Sequence, residues 1–290
     1  HLGSLTTAVA SFCHIKSLGG QWLLRIEDVD FERCKFEYAD SILYDLDALG
    51  LHWDGEVVYQ SDRAAIYEAV LHERLSQISY ACHCSRKQLD AHRLSNPVPH
   101  GLNSPIIYPR LCLHKHHDWQ HPDSKIRLQL PDVMTAFVDG IQGVIWDNPA
   151  KSLGDVVVKR QNQMFNYILA CAIDDGLQGI THIMRGIDIM PMTVAQIDIL
   201  KLCQLPVPSY FYHLPLLYGD NGQKLSKQNL AAPIDTTQPA KLLYQALTLL
   251  DQDTTPEMLS ATPSEILVHA ISHWDHTPLM RQHKLPSNIS

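Results

Sequence analysis

The sequence reads as an α/β protein. Helix, strand and helix alternate in close order over residues 1–75, short β-branched runs alternate with helical ones over 125–203, and an aperiodic stretch rich in His, Pro and Cys separates the two. Leu5, Ala8, Val9 and Phe12 repeat at helical spacing within 1–20, with Ser4 as the cap and Gly19-Gly20 closing the helix. Residues 21–26 form a short apolar strand that ends in an acidic turn, Glu27-Asp28-Val29-Asp30. A second helix over 31–49 aligns Tyr38, Ile42, Leu46 and Leu49 on one face. A third opens at Ser61-Asp62 and carries Ile66, Val70, Leu71 and Leu75.

Residues 82–124 lack a sustained period and read as an inserted subdomain. Strands are expected at 125–130, 143–146, 155–159 and 180–184, with helices at 163–174 and 193–203. A loop-rich stretch follows Pro206 and Pro208, and further helices lie near 239–250 and 263–274. The last has Thr262 as cap and Pro263 at its first position. The domains expected are 1–81 and 125–200 as two halves of one catalytic domain, 82–124 as the insert, and 201–290 as a loop and C-terminal helical region.

An apolar share of 45% and a net charge of −8 fit a globular protein with a sizeable core and exclude an indiscriminate nucleic-acid binder. RNA contacts must be local. The candidate basic groups are Arg110 with Lys115, and Lys201, Lys224, Lys227 and Lys241. No run reaches the length needed to span a bilayer. Seven cysteines, three of them grouped at Cys82, Cys84 and Cys112, suit a reducing cytoplasm and one metal cluster better than a disulfide framework.

Two motifs carry phosphate chemistry. His1, Gly3 and Ser4 open a helix, whose N-terminus favours negative charge, and Gly3 lets a nucleotide approach the backbone. Lys224, Ser226 and Lys227 sit in a loop after Gly219-Asp220-Asn221-Gly222, where two lysines three apart can fold over a triphosphate. The two motifs, taken with the residues between them, resemble the signatures of class I aminoacyl-tRNA synthetases of the glutamyl type. Those residues are Leu24-Arg25-Ile26-Glu27-Asp28-Val29-Asp30, Tyr167-x-x-x-Cys171 with Asp174-Asp175, Gly179-Ile180-Thr181-His182, Arg185-Gly186 and Tyr210-x-x-His213-x-Pro215. The resemblance covers about 1–80 and 125–235. The loop reads Lys-Leu-Ser-Lys-Gln where the family has Lys-Met-Ser-Lys-Ser.

The insert narrows the resemblance. Cys82-x-Cys84 with Tyr108-x-x-x-Cys112 resembles the zinc site of glutamyl-queuosine tRNA(Asp) synthetases, short relatives of glutamyl-tRNA synthetase. Three thiolates and a phenolate oxygen complete a closed structural site, with His83, His114, His116 and His117 as alternatives to Tyr108. The fold so implied is a Rossmann-like class I aminoacyl-tRNA synthetase catalytic domain with a zinc-binding insert and a short helical C-terminal region.

The resemblance implies ATP-dependent, tRNA-independent activation of L-glutamate and its transfer to the queuosine base at the wobble position of tRNA(Asp). The partners would be ATP, glutamate and the anticodon loop, the cofactors one structural Zn2+ and Mg2+ brought with ATP, and the protein a cytoplasmic monomer. Glu27, Tyr167 and Arg185 would bind glutamate, with Glu27 on its ammonium and Arg185 on a carboxylate. His1, Lys224 and Lys227 would stabilise charge at the phosphates. Two alternatives stay open. One is a truncated glutamyl-tRNA synthetase charging the 3′ end, and the other is a non-catalytic RNA-binding paralogue. The family also places a strand and loop, approximately Arg-Phe-Ala-Pro-Ser-Pro-Thr-Gly, before the His-Leu-Gly motif. A truncated sequence is therefore expected, with neighbouring backbone groups unpaired. About 55 residues follow the lysine loop and its tail, too few for the anticodon-binding part of full glutamyl enzymes.

Overall fold

The structure, a computed structural model, describes residues 1–30, 34, 36–95, 107–218 and 234–285. Helix α1 (Leu2–Ser17) buries Leu5, Val9, Phe12 and Cys13, the face expected from its period. Its cap is His1 rather than Ser4. The His1 imidazole Nδ1 accepts the Ser4 N–H at 3.2 Å, which places Ser4 inside the first turn. Strand β1 (Arg25–Ile26) is shorter than the sequence suggests and pairs in parallel with β2 (Val58–Tyr59).

In α2 (Phe36–Ala48) the expected apolar face holds only in its second half. Leu46 is buried, as is Leu49 just beyond, while Tyr38 and Ile42 are exposed. A 3-10 turn, Gln60–Arg63, leads into α3 (Ala64–Arg74), whose buried line is Tyr67 and Leu71, then Leu75, leaving Ile66 exposed.

The second half brings β3 (Ser79–Cys82), α4 (Arg86–Ser95), β4 (Lys125–Leu128), β5 (Thr135–Asp139), β6 (Gly143–Asp147), α5 (Pro149–Ser152), β7 (Val156–Lys159), α6 (Tyr167–Leu177) and β8 (His182–Gly186). It continues with α7 (Met190–Leu202), β9 (Tyr210–Leu214), β10 (Leu216–Leu217), α8 (Pro239–Leu249), α9 (Pro263–Ser272) and β11 (Lys284–Leu285). The principal sheet runs β6-β5-β9-β8, with β8 and β9 parallel over their full length and β9 meeting β5 at the Phe211–Asp139 pair. An antiparallel sheet, β3-β4-β7, holds Cys82 opposite Lys125. Among the described residues no backbone pairing joins β1-β2 to the principal sheet.

Two apolar cores follow. One packs α1 against α8 and α9 around Val9, Leu243, Leu247 and Leu267. The other packs α3, α6 and α7 against β4 around Tyr67, Leu128, Leu169 and Ile199. Burying each such leucine contributes about 1.5–3 kcal/mol. Helix α6 is buried almost throughout, from Ile168 to Gly176. Asp174 and Asp175 lie inside this core and must be satisfied there. Thr262 caps α9 in a full capping box with Glu265. Among the described residues no helix is long and apolar enough to cross a membrane.

Candidate active site

The acidic turn after β1 and the first turns of α6 face one another. Cys171, one turn along α6 from Tyr167, donates its thiol to Glu27 Oε1 at 3.0 Å, and Glu27 keeps a side-chain exposure of 38%. Burial, with Glu27 next, pushes the Cys171 thiol well above its ordinary range, so it stays a neutral donor. Arg25 backs Glu27 at 3.5 Å but is committed more closely to Asp175, at 2.7 Å, and Gln178, at 2.8 Å. Burial raises Asp175 above the usual carboxylate range despite Arg25.

Beneath this layer Asp174, wholly buried, accepts from Arg63 Nε and Tyr67 Oη, each at 2.7 Å, and from Gln60 Nε2 at 3.0 Å. Asp28 accepts the Ser61 N–H at 2.8 Å and the Ser61 hydroxyl at 2.7 Å. The acidic run after β1 therefore divides its labour. Asp28 fixes the turn, Asp30 pairs with Arg160 at 2.7 Å, and Glu27 points outward.

Arg185, on β8, lies on the other side of Tyr167. Its Nε donates to His213 Nε2 at 3.3 Å, and its Nη2 donates to Thr193 at 2.9 Å and Gln196 at 2.6 Å. Its Nη1 reaches the Tyr167 hydroxyl at 3.4 Å. No carboxylate of the described residues lies within ion-pair distance of Arg185. Because all three guanidinium nitrogens already make hydrogen bonds, a carboxylate is offered a pair of donors rather than a bidentate fork. These are a spare Nη1–H and the Tyr167 O–H, freed to donate because its oxygen accepts from Arg185. Burial, followed by Cys171 and Glu27, pushes the Tyr167 hydroxyl above its ordinary range and keeps it protonated.

At the start of α1, Ser4 Oγ lies 3.0 Å from His1 Nε2, and Gly3 is in the first turn. Lys224, Ser226 and Lys227 lie outside the described residues, between β10 and Ile234.

In the insert, the ligand atoms of Cys82, Cys84 and Cys112 lie within 4.8 Å of one another, all buried. Tyr108 Oη stands 3.3 Å from Cys82 Sγ and 3.4 Å from Cys84 Sγ, and Cys84 and Cys112 are 3.5 Å apart. A tetrahedral zinc with Zn–S of about 2.3 Å needs sulfur separations of about 3.8 Å, so the four atoms fit it after small shifts. His83 is turned away, its Nε2 at 2.9 Å from Ser124 Oγ and its ring stacked on His117 at 3.9 Å. His114, His116 and His117 line a separate cavity with Trp119.

Burial works against the Cys82 thiolate, but hydrogen bonds from Tyr108 and Arg127 outweigh it and hold the thiol below its ordinary range. Burial pushes Cys84 up to about 11. A dication is the group that would let such crowded thiols ionise together. Arg127 lies over the Tyr108 ring, 3.6 Å from its centroid, and Arg110 is held by Asp155 at 2.9 Å. Arg110, one of the basic groups considered for RNA, is thus ion-paired, with its side chain still 46% exposed.

Sequence reasoning missed Asp139, Thr193 and Gln196, which surround Arg185 and His213. Asp139 lies on β5, a strand the sequence did not reveal, and nothing near it marks a motif.

The family model for class I tRNA synthetases (E and Q), catalytic domain, matches residues 1–252. The chain is 40% identical over 278 residues to the glutamyl-Q tRNA(Asp) synthetase of Neisseria meningitidis serogroup B, covering 95% of this chain and 91% of that one. It is 38% identical over 286 residues to the glutamyl-Q tRNA(Asp) synthetase of Ectopseudomonas mendocina, covering 98% and 92%. The crystal structure of glutamate-tRNA synthetase from Elizabethkingia anophelis superposes with a TM-score of 0.76 at 21% identity, over 99% of this chain. That likeness shows a shared fold, and this chain spans 65% of that one's length. With a catalytic-domain model matching most of its length and relatives near 40% identity, the chain belongs to the glutamyl and glutaminyl class I tRNA synthetases, a family of ligases, in its glutamyl-Q tRNA(Asp) synthetase branch.

Proposed function

We propose that this chain activates L-glutamate with ATP in the absence of tRNA and transfers it to the queuosine base at the wobble position of tRNA(Asp). The observation that carries the reading is the facing pair of Glu27 and Arg185–Tyr167. An outward carboxylate suits the ammonium of glutamate, and a guanidinium without a carboxylate partner among the described residues, beside a free phenolic donor, suits a carboxylate. A glutamate α-carboxylate oxygen attacks the α-phosphorus of ATP, the bond to the bridging oxygen breaks, and pyrophosphate leaves. Transfer of the acyl group to queuosine then releases AMP. The nucleophile is already ionised and needs no protein base.

His1, Gly3 and Ser4 at the positive end of α1 receive the phosphates, and Lys224, Ser226 and Lys227 close on them from the loop. Mg2+ brought with ATP supplies further positive charge there. The RNA would enter through its anticodon loop, whose unstacked bases suit a cleft, in a monomeric cytoplasmic enzyme.

The test is glutamate-dependent ATP–pyrophosphate exchange without RNA, followed by labelling of queuosine-containing tRNA(Asp) stripped of its 3′-terminal adenosine. Exchange and labelling are both expected. Labelling that disappears with that adenosine, or proceeds equally on tRNA lacking queuosine, supports charging of the 3′ end instead. Absence of exchange supports a non-catalytic RNA-binding protein.

The same reading includes one structural zinc on Cys82, Cys84, Tyr108 and Cys112. Elemental analysis of protein purified without chelators is expected to find about one zinc per chain. Cys84→Ser should lower that content and expose the insert to protease. A zinc-free protein, or a variant with undiminished zinc, would count against these ligands.

A further inference from the structure

We propose that Asp139 and His213 form a buried positioning pair that fixes the tautomer of His213 and thereby aims Arg185 at the substrate carboxylate. This rests on the glutamate-binding reading above and deepens it.

Asp139 ends β5, and its carboxylate is saturated. Oδ1 accepts the backbone N–H groups of Ile141 at 3.0 Å, Gln142 at 2.8 Å and His213 at 3.2 Å, while Oδ2 meets His213 Nδ1 at 2.6 Å. Both side chains are inaccessible to solvent. A carboxylate with three N–H donors on one oxygen remains an acceptor, so the proton of the fourth bond sits on His213 Nδ1. On the far side of the ring stands Arg185 Nε, which can only donate. Nε2 must then carry a lone pair, which it shares between Arg185 Nε–H and the Thr193 hydroxyl at 3.0 Å.

Two independent constraints, one from each side of the imidazole, demand the same neutral tautomer. Thr193 in turn accepts from Arg185 Nη2. The triangle of His213, Thr193 and Arg185 leaves Nη1 as the projecting edge of the guanidinium, next to Tyr167. Asp139 touches neither Arg185 nor Tyr167 directly and acts through the ring.

The arrangement makes a distinctive demand on substitutions. In Asp139→Asn, the amide oxygen takes over the three backbone bonds, and the amide N–H2 then faces Nδ1. The His213 proton must move to Nε2, where it confronts the Arg185 Nε–H. An Asp-to-Asn change in the serine protease triad inverts the histidine tautomer in the same way and supplies the physical precedent. A glutamine at 213 places an amide oxygen near the position of Nε2, and its acceptor does not depend on residue 139.

The experiment measures ATP–pyrophosphate exchange over separate ranges of glutamate and ATP. Asp139→Asn is expected to raise KM for glutamate about 10- to 100-fold with KM for ATP little changed, the loss typical of one hydrogen bond to a charged group. His213→Gln, which keeps an acceptor for Arg185 but gives up the bond to Asp139, is expected to raise KM for glutamate less than Asp139→Asn does, and the double variant Asp139→Asn/His213→Gln should recover toward His213→Gln. If Asp139→Asn fails to fold, His213→Leu against His213→Gln gives the same comparison, with leucine raising KM for glutamate more than glutamine does. Equal KM in Asp139→Asn and the unsubstituted protein, a double variant as impaired as Asp139→Asn, or leucine and glutamine behaving alike would each overturn the pair. A protein with no glutamate-dependent exchange at all would overturn the glutamate reading and this inference together, an outcome distinct from active variants that fail to differ.

Discussion

Arg185→Ala is expected to raise KM for glutamate by about 30- to 1000-fold, corresponding to roughly 2–4 kcal/mol, while leaving KM for ATP close to its original value. In the reading proposed above, only the amino acid presents a carboxylate to the edge formed by Arg185 Nη1 and Tyr167. Removing the guanidinium also leaves the Gln196 carbonyl without its donor and the His213 lone pair with Thr193 alone, so part of the loss is reorganisation of the wall. Pyrophosphate exchange, varied separately in glutamate and in ATP, checks the result. Similar losses on both substrates would place the glutamate pocket elsewhere.

A second large effect is expected in stability. Asp174→Ala should destabilise the fold by about 3–5 kcal/mol, because it leaves a half-buried guanidinium, a buried phenol and a buried amide without their common acceptor. For a protein of marginal stability, about 5–15 kcal/mol in all, this is a large share. Burial, which persists in the variant, pushes the Tyr67 phenol above its ordinary range, so it cannot shed its proton to relieve the loss. Urea denaturation should show a markedly lower midpoint. A change under about 1 kcal/mol would mean that water takes over the role of Asp174 as acceptor.

How much of this is legible in the sequence depends on whether local signals agree with tertiary ones. Helix α1 and its buried line Leu5, Val9 and Phe12 follow from period alone, because one face meets the core and the other does not. The face of α2 does not, because Tyr38 and Ile42 are apolar yet exposed, and a period cannot tell a core from a solvent face that happens to carry large side chains. Helix α6 starts at Tyr167, later than the sequence suggests, because the Asn166 side chain caps it by accepting the Ile168 N–H. β9 hides in a stretch that reads as loop after two prolines, although it is central in its sheet.

In the site, Glu27, Tyr167 and Arg185 are reached through a run of motifs, and the structure draws them around α6. Asp139 is out of reach because its partner is 74 residues away and nothing local marks it. The choice between Tyr108 and the histidines is likewise a matter of side-chain direction, which spacing does not encode.

The short parallel pairing of β10 with β11 has a consequence for the timing of folding. β10 leads into the segment that carries Lys224 and Lys227, and its partner is Lys284-Leu285. The same late segment is fastened beside the Arg185 wall: Arg281 donates to the Ile141 carbonyl at 2.8 Å, and Gln142 bridges the His213 and Gln282 carbonyls at 2.9 and 2.8 Å. Strand β10 and the Arg185 wall are thus latched by one strap of chain. Domains fold as units while synthesis proceeds from the N-terminus, so this latch cannot close until Leu285 has emerged from the ribosome. A nascent chain that already holds α1, β1 and α6 in place therefore still lacks the contacts that fasten β10 and the Arg185 wall.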